Sequence, residues 1–131
     1  MQLRTITIND YLKLIKFWKE NYFVSDMDSA EYFSIFLDKN PSLSILIEED
    51  GEIIGSALGS YDGRRGYLQK VVTRESLRGR GIGKQMVDEI VKRLKRVGAV
   101  YIPISVEKNN IAFYEKCGFV RKTSTSMSRD L

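Results

Sequence analysis

The chain has 131 residues, 43% of them hydrophobic, a size and composition that predict one domain, residues 1–131, around a single buried core. One cysteine, Cys117, excludes an intramolecular disulfide, and the absence of histidine removes histidine bases, histidine-dependent triads and the usual zinc ligand sets. The 21 Lys and Arg residues exceed the 17 Asp and Glu residues to give a net charge of +4, which suits a polyanionic ligand without calling for nucleic acid.

Residues Met1 to Ile6 hold no long apolar stretch, and no later segment approaches the roughly 18 apolar residues of a membrane span. The expectation is a soluble, unexported, cytoplasmic protein with no membrane partner. Strand-like alternation runs through Leu3 to Ile8, and Asn9-Asp10 then caps a helix with Leu14, Trp18 and Tyr22 at helical spacing. A second helix is predicted after Asp28, where Asp28-Ser29-Ala30-Glu31 resembles a capping box. Tyr32, Phe33, Phe36 and Leu37 make its apolar face, and Asn40-Pro41 ends it.

Ile45-Leu46-Ile47 and Ile53-Ile54 flank Asp50-Gly51, a hairpin signal, and a second turn from Asp62 to Gly66 leads into Tyr67 to Val72. This middle region reads as an antiparallel meander. The apolar positions Met86, Val87, Ile90, Val91, Leu94 and Val97 follow a helical period that Gly98 stops. Val100 to Val106 reads as a strand again, so strand, loop, helix and strand form a β-α-β crossover with a parallel, right-handed connection. A short helix from Asn110 to Lys116 and a last strand from Phe119 to about Met127 complete the chain.

The loop Arg78-Gly79-Arg80-Gly81-Ile82-Gly83 lies directly between a strand and a strongly amphipathic helix, with Lys84 following. Glycines let the backbone approach a ligand, while the first-turn N–H groups and the positive end of the helix dipole attract an anion. Arg78, Arg80 and Lys84 add mobile positive charge there. Two nucleotide motifs fail on spacing: the glycines read G-x-G-x-G rather than the dinucleotide fingerprint, and Gln85 stands where a P-loop needs Ser or Thr. A plain glycine-rich turn is the competing structural reading.

Arg78-x-x-Gly81-x-Gly83 resembles the Q/R-x-x-G-x-G/A signature of the GNAT family of N-acetyltransferases. Asn109-Asn110-Ile111-Ala112-Phe113-Tyr114-Glu115-Lys116-Cys117-Gly118-Phe119 resembles the family's later motif, an Asn ahead of a short helix ending in Y-E-K-x-G-F. The resemblance covers nearly the whole chain, and Tyr61 to Gly66 is similar to a subgroup of short prokaryotic members. It implies an α+β (α/β) fold with a mixed, mostly antiparallel central sheet of about six to seven strands, about four helices and a splayed parallel strand pair. Pro103 would lie at that parting, where no N–H is needed; a proline whose missing donor faces solvent is the alternative.

The same resemblance implies acetyl-CoA as acetyl donor. The backbone of Arg78, Gly79, Arg80, Gly81, Ile82, Gly83 and Lys84 would bind its pyrophosphate, and the backbone near Val71 and Val72 its pantetheine arm and acetyl carbonyl. The segment from Asn to Tyr is shorter than the family's, so either Asn109 or Asn110 meets the cofactor. Tyr114 is the implied general acid, a phenol with a pKa of about 10 that can protonate a departing thiolate; a core aromatic beside Phe113 and Phe119 is its other reading. Cys117 has no histidine to activate it and reads as a structural thiol.

The strand from Tyr67 to Val72 lacks the carboxylate that many family members use as base. Glu107 is the candidate base, with Asp62 or a chain of waters as alternatives. Carboxylates choosing a cationic amine are expected among Asp26, Asp28 and Glu31, residues that capping and solvation of the second helix also explain. The functional expectation is direct acetyl transfer to a primary amine on a small molecule, a protein N-terminus or a lysine; a non-catalytic acetyl-CoA sensor of the same fold is the alternative. A nucleic-acid partner is not expected, because Lys92-Arg93-Leu94-Lys95-Arg96 reads as the solvated, cationic end of a helix. The family resemblance also allows a homodimer.

Overall fold

The computed structural model describes residues 1–131. Four strands form one antiparallel sheet in the order β1 (Gln2–Thr5), β2 (Ile45–Glu49), β3 (Glu52–Tyr61) and β4 (Gly66–Thr73). Helices α1 (Tyr11–Asn21) and α2 (Ala30–Lys39) lie between β1 and β2 in sequence, and α3 (Ile82–Val97) and α4 (Ile111–Lys116) follow β4.

Local chemistry explains most element ends. Ser29, rather than Asp28, caps α2, its hydroxyl accepting from the Tyr32 amide at 3.2 Å. Asp28 instead closes the preceding turn, Asp26–Asp28, by accepting from the Ser25 amide at 2.8 Å. The β2–β3 hairpin turns through Asp50 and Gly51, both at positive φ, the pairing that a tight primed turn requires. In the β3–β4 turn, the Asp62 carboxylate accepts from the Arg64 and Arg65 amides and from the Tyr67 hydroxyl.

The sheet has helices on both faces. Leu14, Phe17 and Trp18 of α1 and Phe33 of α2 pack with Leu46, Ile53, Leu58 and Val72 on one side. On the other, Ile82, Met86, Ile90 and Leu94 of α3 pack with Ile45, Ile47, Ile54 and Ala57. Leu46 and its neighbours Ile45 and Ile47 show why the first three residues of β2 are all apolar: alternate side chains enter opposite layers. At β1, the Arg4 guanidinium grips both oxygens of Asp10 at 2.9 and 2.7 Å and reaches Glu48 at 2.8 Å, tying β1, β2 and the entrance of α1 together.

The expected six to seven strands are not formed; there are four. The segment after α3 touches β4 at a single parallel bridge, Arg65 to Tyr101, where the Gly66 amide donates to the Tyr101 carbonyl at 2.9 Å and the Val100 amide to that of Arg64 at 3.1 Å. Beyond it the backbone leaves β4, with Pro103 two residues on and unable to donate to a ladder. Phe119 to Met127 forms no strand either. Residues 121–131 are exposed and, apart from Met127 and Leu131, polar, and the Ser105–Ser126 hydroxyl pair at 2.8 Å is a side-chain contact rather than a ladder.

Candidate functional site

The start of α3 is built by backbone geometry. Gly79 and Gly81 have φ values of 82° and 83°, and a Cβ on either would meet open space, so the left-handed backbone itself requires glycine there. Gly81 has no side chain with which to cap the helix, and the Gln85 amide makes the first helical bond, to the Gly81 carbonyl at 3.0 Å. The amides of Ile82, Gly83 and Lys84 therefore precede the helical ladder and lie at the positive end of the dipole. Arg80 is exposed. Lys84 pairs with Asp88 at 2.7 Å, which raises its pKa. Arg78 reaches back to donate to the Asn21 carbonyl at 3.1 Å, while the Asn21 side chain accepts from the Glu75 amide at 3.0 Å. Asn21 thus fastens this loop to the end of α1, a role with no signal in the sequence.

Gly83 brings the two motifs together. A Cβ there would lie 3.0 Å from the Phe113 ring and 3.5 Å from the Thr73 hydroxyl, so its bare backbone lets α4 and the end of β4 close on the first turn of α3. Tyr114, next along α4, sits edge-on between Phe113 and Phe119 with ring centroids at 4.9 and 5.7 Å. Burial, reinforced by Cys117 and Tyr22, pushes its pKa up to about 12. The phenol consequently stays protonated, a hydrogen-bond donor, throughout the neutral range. Burial, helped by Asp88, also raises the Cys117 thiol, keeping it in the unreactive form.

β4 carries a bulge next to this point. Ser56 pairs with Val72 and Leu58 with Gln69, leaving Lys70 and Val71 together opposite Ala57. Lys70 takes φ 50°, a strained conformation for a residue with a Cβ. The side chains of Val71 and Val72 pack into the two opposite core layers, so what these positions can offer a ligand is main chain.

The bulge is held from both ends of Lys70. Its carbonyl accepts from the Ser56 hydroxyl at 2.9 Å, and that hydroxyl accepts from the Trp18 indole at 2.9 Å. Its ammonium pairs with Asp28 at 3.0 Å and donates to the Phe23 carbonyl at 2.9 Å. The same ammonium lies 5.2, 5.3 and 4.4 Å from the ring centroids of Trp18, Tyr22 and Phe23. Sequence reading missed Lys70; its one trace was that it is the only charged residue of β4.

The remaining expected residues are mostly exposed or engaged in local contacts. Glu107 is exposed at the head of the turn Lys108–Asn110, which also holds Asn109 and Asn110; all three are exposed, and Asn110 stands at the N-cap of α4 without a side-chain capping bond. Asp62 is engaged in its turn, whose amides lower its pKa. Asp26 and Glu31 are exposed, and Asp28 is committed to Lys70.

The acetyltransferase (GNAT) family pattern matches residues 11–119, and the chain belongs to that family. An acetyltransferase of Pectobacterium atrosepticum is 30% identical over 120 residues, covering 88% of this chain and 85% of its own. The structure of glucosamine-6-phosphate N-acetyltransferase from Arabidopsis thaliana superposes with a TM-score of 0.76 at 26% identity, covering 98% of this chain and 97% of that one. A predicted acetyltransferase with acetyl-CoA from Clostridium acetobutylicum gives 0.79 at 21% identity, covering 98% and 95%; at that identity the likeness concerns the fold alone. No helix here is long and apolar enough to cross a membrane.

Proposed function

We propose that residues 1–131 act as one domain that moves the acetyl group of acetyl-CoA directly to a primary amine of a small molecule or a protein. The observation that supports this reading best is the closure of Phe113 over Gly83, which brings α4, the helix that carries Tyr114, and the end of β4 against the open amides of α3. The donor fits those residues chemically. Amides from Gly81 to Lys84, with Arg78, Arg80 and Lys84 around them, would hold the pyrophosphate; main chain at Val71 and Val72 would align the pantetheine arm; and Asn109 or Asn110 would meet the cofactor beside Tyr114.

The bound acetyl-CoA supplies a thioester carbonyl. The neutral amine attacks its carbon, the carbon–sulfur bond breaks, and Tyr114 protonates the leaving sulfur. The attacking ammonium, with an ordinary pKa of about 10, first gives up a proton. Glu107 is the proposed acceptor of that proton, through water because of its exposed position. Positioning alone can lower such a barrier by roughly 7–11 kcal/mol, which suits a site made mostly of backbone.

The β4 bulge carries Lys70 rather than a carboxylate, and this favours a second reading, a sensor that binds acetyl-CoA without transfer. Thermal shift with acetyl-CoA followed by thiol release across a panel of amines separates the two. A melting temperature indifferent to acetyl-CoA rejects both readings, and binding without thiol release leaves the sensor.

A further inference from the structure

In the structure of this chain, Lys70 occupies a site built like a receptor for an ammonium group. Three aromatic rings, one carboxylate and one carbonyl surround its Nζ, and the side chains of Lys70 and Asp28 are only 10% and 11% exposed. The Asp28 carboxylate also accepts the Ser25 amide, so its charge is balanced and its position fixed. Tyr22, near enough to Tyr114 to help raise its pKa, therefore stacks with Phe23 in an exposed pair, ring centroids 4.3 Å apart, with the Asp28 carboxylate behind it already paired. Met27, in the turn that Asp28 closes, is likewise largely exposed.

Resting on the acetyl-transfer reading, we propose that Lys70 is a specificity-determining residue. By neutralising Asp28 it makes the acceptor wall aromatic rather than acidic, so the acceptor is a single amine on an aromatic or apolar scaffold and not a polycation. A second ammonium on the acceptor would find Asp28 already taken and no other charge to balance it, whereas a flat apolar group can stack on Tyr22 and Phe23. The lysine acts through the wall, without touching the reacting atoms.

The test compares 2-phenylethylamine with spermidine as acceptors for the wild-type protein, Lys70→Gln and Asp28→Asn, with acetyl-CoA affinity measured alongside by calorimetry. The wild type should favour 2-phenylethylamine in kcat/KM by about tenfold, the effect of about 1.4 kcal/mol. Lys70→Gln, which frees the Asp28 charge, should move that ratio toward spermidine by a similar factor; both acceptors share one donor, so any loosening of the bulge that changes acetyl-CoA affinity cancels from the ratio. If this variant does not fold, Asp28→Asn carries the test, because an unbalanced Lys70 should move the ratio the other way. Spermidine preferred by the wild type, or a ratio that ignores the substitution, overturns the inference and leaves the transfer reading standing. Turnover of no amine at all rejects transfer itself, and this inference with it.

Discussion

The ring of Phe113 rests 3.0 Å from the point where a side chain on Gly83 would begin. Two segments far apart in sequence are thereby joined across one bare backbone position. Gly83→Val should push α4 off α3 and destabilise the fold by about 1–3 kcal/mol, the usual effect of overpacking. The accompanying loss of acetyl-CoA affinity should exceed that of an exposed control such as Ala112→Ser. Calorimetry on both variants checks this, and equal affinities would remove Gly83 from the proposed cleft.

Gly81 tests the other half of the loop. Its side-chain space is open but its φ is 83°, so Gly81→Ala should cost about 1–2 kcal/mol of stability through backbone handedness alone. Gly81→Glu places a negative charge where the cofactor's pyrophosphate is proposed to lie. It should abolish the acetyl-CoA thermal shift, which Gly81→Ala should only weaken.

Tyr114→Phe should lower kcat by about 10²-fold or more, the scale of general acid catalysis, with little change in acetyl-CoA affinity. The pH profile carries a second signature. Because burial raises the phenol to about 12, its proton remains in place above pH 10, and turnover in the wild type should show no alkaline fall near the ordinary tyrosine value. A fall centred near pH 10 that vanishes in Tyr114→Phe would contradict the burial described above.

The Arg4 clamp predicts the response to acid. Hydrogen bonds from Arg4 hold the carboxyl groups of Asp10 and Glu48 below their ordinary values. The stability they contribute is fully present above the unfolded carboxylate range, about pH 4–5, and is lost as pH falls through the lowered native values. Arg4→Met should therefore destabilise at pH 7 by about 1.5–3 kcal/mol, as for hydrogen bonds to charged groups. The difference from wild type should shrink on acidification. Urea titrations at neutral and acid pH measure both.

Ser56→Ala should cost about 1–3 kcal/mol, because the fully buried Trp18 indole N–H would lose its acceptor. It also frees the Lys70 carbonyl, so hydrogen exchange at the β4 bulge should rise in the same variant. Protection unchanged at Lys70 and Val71 would show that the bulge holds without this bond.

These relationships differ in how far the sequence discloses them. The α3 stripe from Met86 to Leu94, the Asp50-Gly51 turn and the glycine loop depend on neighbours a few residues away, and local patterning reveals them. The segment after α3 has β-branched residues and alternation, yet it meets β4 only at Tyr101, because a parallel ladder needs a partner's backbone in register and Pro103 offers no donor. Lys70 and Asp28 pair across the α1 side of the sheet, and nothing near either residue announces the other. Asp28 reads locally as a helix cap, and its nearer neighbour Ser29 takes that role.

The layered arrangement has a consequence for how the chain reaches its native state. Hairpins β2–β3 and β3–β4 close short loops and can form early, whereas β1 must wait for a partner lying beyond two helices. Synthesis delivers all four strands before α3, so the face formed by Ile45, Ile47, Ile54 and Ala57 stays uncovered until Ile82 to Leu94 emerge. The helix that covers this face is also the one whose first turn meets the ligand in the proposed reading, and a ligand seated there would favour the finished molecule over its partly assembled precursors by mass action.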